Sequence, residues 1–272
     1  CSRPPDSSRI MTAIRRAQRL LQQDDELLAE TVRHRRDFRA WPQRAANVAL
    51  LAMRMGEEME AEERHILGLG LCGLMHDVGM LSVPDAVLES PKLSGAQLKL
   101  LQQHPLKSRA MITKFGKSFA WIGRIVAQTH ERRDGNGYPR GLKGDEIHEF
   151  AQILGLADTY EAMAHPRPDR KAMAMYHAVK EIINQRNAQF DPSTIRALIH
   201  IVSIFPLGSL VKLNNGEVGR VLGTSRTHPT RPRVEVLVDS RGRPQAPGRK
   251  VDLGTEPLLY IIDPAIEEEA LG

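Results

Sequence analysis

The chain has 272 residues, of which 41% are hydrophobic and 26% charged, with a net charge of +5. These values fit a protein with a hydrophobic core and room for one large or two smaller domains. The two cysteines offer no disulfide framework, and we find no apolar run long enough for a membrane span. Only 4% of residues are aromatic and they do not alternate with basic ones, which argues against a nucleic-acid polymer as partner.

The N-terminal third of the chain is predicted to be helical. Residues 1–38 are interpreted as a short leader and a helical connector, with apolar residues at helical spacing over 9–37. This helix suits a homodimer contact, or else it packs on the protein's own core. The next helix, 44–56, is predicted to stop at its terminal glycine. Residues 62–77 are apolar on nearly every face, which predicts a central core helix.

Further helices are predicted up to residue 201, and the pattern then changes. They are expected at about 94–104, 106–115, 118–130, 148–163, 170–187 and 192–201. After Pro206 the segments are short, rich in β-branched residues and separated by Asn-Gly, Pro and Gly turns, which indicates strands and hairpins. The predicted fold is therefore mainly α: an all-helical bundle over 39–205, a small β-barrel-like module over 206–263, and an acidic tail over 264–272.

Residues that bind metals recur along the helical part in stretches 26 to 28 residues apart. They are His76 with Asp77, His104, His130 and Asp158. Imidazole and carboxylate together suit Fe, Mn, Zn, Co or Ni. A carboxylate such as Asp77 can bridge two metals, which polarise a phosphoryl group and activate water. Glu161 lies three residues after Asp158, on the same helix face. We therefore predict a two-metal hydrolytic centre in which His76 and Asp77 are catalytic.

The loop HERRDGNGYPRGLKGDE (130–146) offers a second set of candidate residues. Glycines let the backbone approach a ligand closely, basic side chains donate charge-assisted hydrogen bonds to phosphates, and a tyrosine can stack on a base. The predicted substrate or partner residues are Arg132, Arg133, Asp134, Gly135, Gly137, Tyr138, Pro139, Arg140 and Lys143. The alternative is a tight surface turn with solvated charges.

These motifs resemble the HD-GYP domain, a branch of the HD superfamily of metal-dependent phosphohydrolases. The matching stretches lie within about 45–202 and are MHDVGM (75–80), SVPDAVL (82–88), QHPLKS (103–108), HERRDGNGYPRGLKGDEI (130–147), LADTYEAM (156–163) and HPRPDRK (165–171). The resemblance implies a bacterial, cytoplasmic protein that hydrolyses cyclic di-GMP to pGpG or GMP. The chain begins at Cys1, which we interpret as a fragment of a longer protein or, alternatively, as a lipid-anchored cysteine.

The resemblance also implies which residues hold the metals. His76, Asp77 and Asp158 would bind one metal, and Asp77, His104 and His130 the other. Glu161 stands where members with a third metal carry an extra carboxylate.

Three positions depart from the family pattern: Arg44 and Thr129 stand where histidines are usual, and Met80 where a lysine is usual. A guanidinium cannot deprotonate to bind a metal, so Arg44 leaves the first metal one ligand short. Thr129 in place of a histidine leaves the second metal one ligand short. One hypothesis is a phosphodiesterase with a reduced ligand set and two divalent metals. The other is a non-hydrolysing module, with one metal or none, that binds cyclic di-GMP, a related nucleotide or a partner signalling domain through its loop. Under the second hypothesis Arg44 pairs with Asp77 or Asp158.

Overall fold

A computed structural model of the chain describes residues 7–23, 28, 41–165, 173, 175–185, 187–202, 204–205, 208–224 and 228–264. The chain divides into two compact units, residues 1–172 with 181–201 and residues 173–180 with 202–272. The predictions for the leader, Cys1, most of the connector after residue 23, the start of the helix at 170 and the acidic tail lie outside the described residues.

The first unit is helical, which confirms the predicted mainly α fold. The α-helices are α1 (Ser7–Gln23), α2 (Trp41–Glu58), α3 (Glu63–Met75), α4 (Asp85–Leu88), α5 (Gly95–Leu101), α6 (His104–Thr113), α7 (Ala120–Val126), α8 (Glu149–Ala164), α9 (Met175–Gln185) and α10 (Pro192–Ile201). Short 3-10 helices cover Val78–Ser82, Lys117–Phe119, Gly144–Glu146 and Asn187–Gln189. Helix α9 runs across the boundary between the two units.

Helix α3 is the core helix that its apolar sequence predicts. Leu69 and Cys72 are fully buried, and a Cβ on Gly73 would lie 2.5 Å from the Cα of Ala49, so α2 and α3 are in close contact. The stretch Glu63–Ser82 is also long and apolar enough to cross a membrane by length and composition, although the sequence analysis finds no such run. Since 61% of its most apolar window is buried inside the protein, it is accounted for as a core helix.

Two of the helix ends that differ from their predictions have a clear physical cause. Helix α2 continues past Gly56 to Glu58. A Cβ at Gly56 would lie 2.7 Å from Cδ1 of Leu69, so this glycine serves close packing and does not end the helix. Helix α7 ends at Val126, because Gln128 N–H and Thr129 N–H bond to carbonyls three residues back, at 2.9 and 3.3 Å. His130 therefore lies in a turn and not at a helix end.

The second unit contains an antiparallel sheet of five strands. They are β1 (Leu210–Leu213), β2 (Val218–Gly223), β3 (Arg233–Val238), β4 (Pro244–Asp252) and β5 (Ile261–Pro264), in the order β4-β3-β2-β1-β5. The predicted hairpin is confirmed between β1 and β2, where Gly216 has φ +89° and Leu213 N–H bonds to Glu217 O at 2.8 Å. Among the described residues, β4 pairs with β3 and β5 pairs with β1, and these two strands are the edges of the sheet. The module is an open sheet and not a closed barrel.

Candidate metal centre

Four parts of the helical unit bring the predicted metal-binding residues together. His76 and Asp77 follow the end of α3, His104 begins α6, His130 lies in the turn after α7, and Asp158 and Glu161 lie on α8. Their side chains are at most 9% exposed. Buried carboxylates and imidazoles are costly unless they are paired with charges or bound to a metal, so their contacts decide what the site can do.

The turn that carries His76 and Asp77 is fixed against α6. Ser108 Oγ donates to the carbonyl of His76 at 2.9 Å and accepts from the backbone N–H of Gly79 at 2.8 Å. A Cβ on Gly79 would lie 2.2 Å from the carbonyl oxygen of His104, so only glycine allows this approach. Gly79 lies in the motif MHDVGM and Ser108 in QHPLKS, but no role was predicted for either residue, since their contact joins two elements far apart in the chain.

One group of donors fits a metal ion. Asp77 Oδ1 lies 3.2 Å from His104 Nε2 and 3.9 Å from His130 Nε2, and the two Nε2 atoms are 2.9 Å apart. Ligands at the usual distances from a tetrahedral metal are about 3.3 Å apart. His104 Nδ1 is 2.8 Å from the carbonyl of Leu101, which leaves its Nε2 lone pair facing the other donors. Asp77 Oδ1 is buried with no hydrogen-bond partner among the described residues, as expected of a ligand atom.

The protonation of His130 also suits metal binding. Burial, with a smaller contribution from the nearby His104, lowers the pKa of His130 to about 4. Its imidazole is therefore neutral near pH 7, which is the form that binds metals.

The other group of donors is filled by Arg44. Arg44 Nη2 lies 2.5 Å from Asp158 Oδ1, and its Nη1 and Nε lie 3.5 Å from Asp77 Oδ2 and Glu161 Oε2. His76 Nε2 faces the same oxygens of Asp77 and Asp158, at 3.3 and 3.5 Å. Donor atoms of His76, Asp77 and Asp158 lie within 4.8 Å of one another, a spacing that by itself suits a metal. Because a guanidinium already contacts these oxygens, this group does not fit a metal ion as it stands.

The charges of this second group support one another. Burial disfavours the charged form of Arg44, but Asp158, Asp77 and Glu161 outweigh it and raise the pKa of Arg44 above its usual value. Burial likewise opposes a charged His76, yet the carboxylates of Asp77 and Asp158 raise its pKa to about 10. In turn, Arg44 and His76 hold the pKa values of Asp77 and Asp158 well below the usual range, against the effect of burial.

Glu161 is held by residues that the sequence analysis did not single out. Asn47 Nδ2 donates to Glu161 Oε1 at 3.4 Å. His165 Nδ1 lies 2.8 Å from the carbonyl oxygen of Glu161 and 3.3 Å from its Oε1. His165 begins the quoted motif HPRPDRK, and Asn47 follows Arg44 by three residues on the same helix. A polar residue in or near a stretch that matches the family is the signal that would have found them.

The other two departures from the family pattern lie in apolar or closed surroundings. Met80 is buried in a hydrophobic cluster with Val83 and Val87. Thr129 is buried, and its hydroxyl has no hydrogen-bond partner within the described ranges. Met80 thus contributes to packing of the connector after the His76–Asp77 turn.

The glycine-rich loop contacts the metal centre through Tyr138. The Tyr138 ring stacks on His130, with centroids 4.9 Å apart and planes inclined by 6°. The backbone N–H of Tyr138 also donates to the His130 carbonyl at 3.1 Å. Burial raises the pKa of the Tyr138 hydroxyl, so it remains protonated. The loop is therefore a wall of the centre and not a separate surface turn.

Arg132 is used to hold the loop in place. Its Nη1 donates to the carbonyls of Thr129 and Glu131 at 3.1 and 2.8 Å, and its Nη2 donates to Thr159 Oγ1 at 3.1 Å. Its guanidinium also lies 4.9 Å from the ring centroid of Phe190. These bonds orient Arg132 towards the protein.

Arg133 holds the loop from the other side. Its Nη1 lies 3.1 Å from Gln152 Oε1, 3.3 Å from Asp145 Oδ1 and 3.5 Å from Asp191 Oδ2. Its backbone N–H donates to the carbonyl of Gln189 at 3.0 Å. The partner groups of Arg133 thus come from the loop itself and from three other points of the helical unit.

The remaining predicted loop residues shape the backbone or face solvent. Asp134 accepts the N–H of Asn136 at 2.9 Å, and Gly135 has φ +82°. A Cβ on Gly137 would lie 2.3 Å from the backbone nitrogen of Arg132, which requires glycine there. Pro139 is partly buried, while the side chains of Arg140 and Lys143 are exposed. The last two are the cations of the predicted set that are open to a ligand.

Glu131 is the main brace of the loop and was not predicted. It is buried, and its Oε1 and Oε2 accept the backbone N–H groups of Arg140 at 2.7 Å and Leu142 at 2.9 Å. A carboxylate is suited to this role because both of its oxygens only accept hydrogen bonds.

We expect Glu131→Gln to lower the free energy of unfolding by about 1–3 kcal/mol, because an amide N–H would then face a backbone N–H. Chemical denaturation followed by circular dichroism measures the loss. The control is Glu235→Gln in the sheet unit, which lies outside this loop. Equal stability of wild type and Glu131→Gln would contradict the bracing role.

Comparison with known proteins identifies the family of the chain. Residues 15–194 match the family model of the HD domain, and residues 210–271 match that of a KOW domain associated with the HD domain. The chain belongs to the HD-domain family, and its loop sequence places it in the HD-GYP branch, as the sequence motifs predict.

Curated relatives are bacterial proteins. A cyclic di-GMP phosphodiesterase of Pseudomonas aeruginosa is 33% identical over 208 residues, covering 76% of this chain and 50% of that protein. A cyclic di-GMP phosphodiesterase response regulator of Xanthomonas campestris is 32% identical, covering 59% and 42%. A 3'3'-cGAMP-specific phosphodiesterase of Vibrio cholerae is 30% identical, covering 58% and 35%. The chain spans about half the length, or less, of these relatives.

A solved structure shares the fold. The HDG"Y"P protein from Bdellovibrio bacteriovorus superposes with a TM-score of 0.59 at 16% identity, over 69% of this chain and 60% of that one. At this identity the likeness concerns the fold alone.

Proposed function

We propose that this chain is a metal-dependent phosphodiesterase that opens a cyclic dinucleotide, with cyclic di-GMP as the substrate. The proposal is carried by one observation, the convergence of Asp77 Oδ1 with His104 Nε2 and His130 Nε2 at separations of 2.9 to 3.9 Å. The names of the relatives support the reaction class, since each is a phosphodiesterase of cyclic di-GMP or 3'3'-cGAMP.

The residues of the centre have different roles in this reaction. Asp77, His104 and His130 would hold a divalent transition metal, which supplies a Lewis acid for a phosphoryl oxygen. Tyr138 fixes the plane of His130 by stacking on it. Arg44 neutralises part of the negative charge of Asp77, Asp158 and Glu161, which reduces the repulsion of an anionic phosphodiester.

The loop supplies the substrate contacts in this proposal. Arg140 and Lys143 are exposed and donate charge-assisted hydrogen bonds to the phosphates of the dinucleotide. Glu131 and Arg132 keep the loop in the shape that presents them. In this proposal the predicted loop residues therefore fall into two groups, those that bind the substrate and those that hold the loop backbone in place.

The alternative function is binding of the dinucleotide or of a partner signalling domain without hydrolysis. It rests on the departures at Arg44, Met80 and Thr129, and the relatives, all named as phosphodiesterases, do not favour it. A homodimer, a partner domain at the loop and a location in the bacterial cytoplasm stay predictions.

The function is tested by hydrolysis of cyclic di-GMP with purified protein and Mn²⁺. Wild type is expected to release a linear dinucleotide, and His104→Ala to lower the rate at least about 100-fold, since removing even an outer support of a metal ligand costs 10- to 100-fold. His200→Ala is the matched control, because His200 is half-exposed and pairs with Glu58 at 2.8 Å. Binding of cyclic di-GMP without any product would contradict the proposal and favour the alternative.

A further inference from the structure

We infer that the Arg44 guanidinium permanently takes the place of one of the two metal ions, so that the chain holds a single metal at Asp77, His104 and His130. This inference deepens the proposed function, on which it rests, because it assigns the cations of the same site.

Asp77 divides the site between its two carboxylate oxygens. Oδ2 lies 3.5 Å from Arg44 Nη1 and 3.3 Å from His76 Nε2, whereas Oδ1 faces His104 and His130 at 3.2 and 3.9 Å. A carboxylate that would join two metals therefore joins a fixed cation to one group of metal donors. The division follows from the position of Arg44 on α2, across from α8.

The carboxylates around Arg44 also need a cation. The side chains of Asp77, Asp158 and Glu161 are 8%, 6% and 0% exposed, and all three contact the guanidinium. Buried carboxylates are tolerated when a cation pairs with them. A divalent ion among the same oxygens would meet a like charge at contact distance. The guanidinium and a second metal thus exclude one another.

Arg44 is held where it is by its surroundings. Its side chain is 9% exposed, and its guanidinium lies 5.7 Å from the ring centroid of Trp41, one turn earlier on the same helix. The hydrogen bond of 2.5 Å to Asp158 links α2 to α8. The cation is therefore a fixed part of the packed core and not a mobile side chain that leaves when metal arrives.

The test is the metal content per chain. Protein is saturated with Mn²⁺, freed of excess metal and measured by inductively coupled plasma mass spectrometry. We expect about one ion in wild type and about two in Arg44→His, where an imidazole would stand beside the oxygens of Asp77 and Asp158. The matched control is Arg54→His, on the same helix and paired with Glu57 at 2.8 Å, which should keep one ion.

Each outcome decides the inference. Two ions or none in wild type would overturn it, and so would a folded Arg44→His that still holds one ion. If Arg44→His does not fold, the wild-type count decides alone. Failure of the proposed function can be told apart from failure of this inference. One ion per chain without hydrolysis would contradict the function and support the inference. Two ions per chain with hydrolysis would support the function and contradict the inference.

Discussion

Replacement of Arg44 by methionine is expected to lower the free energy of unfolding by about 3–5 kcal/mol when metal is removed by a chelator. Methionine fills a similar volume but leaves the buried carboxylates of Asp77, Asp158 and Glu161 without the cation that contacts all three. Breaking a buried ion pair by removal of one partner has this cost because the remaining charge stays buried. The loss is large against the total stability of a typical domain.

Urea denaturation in EDTA, followed by circular dichroism, measures this loss. Arg54→Met is the control, since it removes a cation of the same helix that pairs with Glu57 and lies outside the carboxylate cluster, and it should cost less than Arg44→Met. Added Mn²⁺ should restore stability to Arg44→Met, because an ion that binds the folded state stabilises it. A loss no greater than that of Arg54→Met would show that the carboxylates do not depend on Arg44.

Asp77→Asn is expected to lower the rate of cyclic di-GMP hydrolysis by about a thousandfold or more, equivalent to about 4 kcal/mol of transition-state stabilisation. The amide keeps the shape of the side chain but not the charge. The substitution removes the charged ligand that Asp77 adds to His104 and His130, and it also weakens the ion pair of Asp77 with Arg44.

The reaction rate at saturating metal and substrate checks this expectation. Asp239→Asn removes a carboxylate from the sheet unit and should leave the rate unchanged. Circular dichroism of both variants separates loss of rate from loss of fold. If Asp77→Asn kept more than a tenth of the wild-type rate, the metal would not depend on this carboxylate.

Local patterns in the sequence were enough for much of the fold. The all-round apolar pattern of 62–77 predicts a core helix because no face of it tolerates water, and α3 is that helix. Asn215-Gly216 predicts a hairpin because glycine accepts the positive φ of the turn. The helix end predicted at Gly56 was wrong, because this glycine is required by the close packing of Leu69 from another helix and does not end its own helix. The small β module is confirmed as a five-stranded sheet, but whether its edge strands meet depends on strands far apart in the chain, which the sequence pattern does not show.

The candidate site could likewise be predicted from the sequence only in part. Family motifs identify His76, Asp77, His104, His130 and Asp158, and the fold brings all of them to one place. A pairing of Arg44 with Asp77 or Asp158 was one hypothesis from the sequence, and both pairs are present. No pattern in the sequence tells that the second oxygen of Asp77 faces the imidazoles of His104 and His130. Nor does it tell that Arg132 points into the protein while Glu131 carries the loop backbone. These properties depend on directions of side chains in the folded state.

The most direct measurement for the whole account is a titration of Mn²⁺ into metal-free protein with the rate of cyclic di-GMP hydrolysis recorded at each step. The account predicts that the rate rises up to one equivalent of metal per chain and then stays constant, because Arg44 fills the remaining cation position. A rate that keeps rising to two equivalents, or no hydrolysis at any metal content, would contradict it.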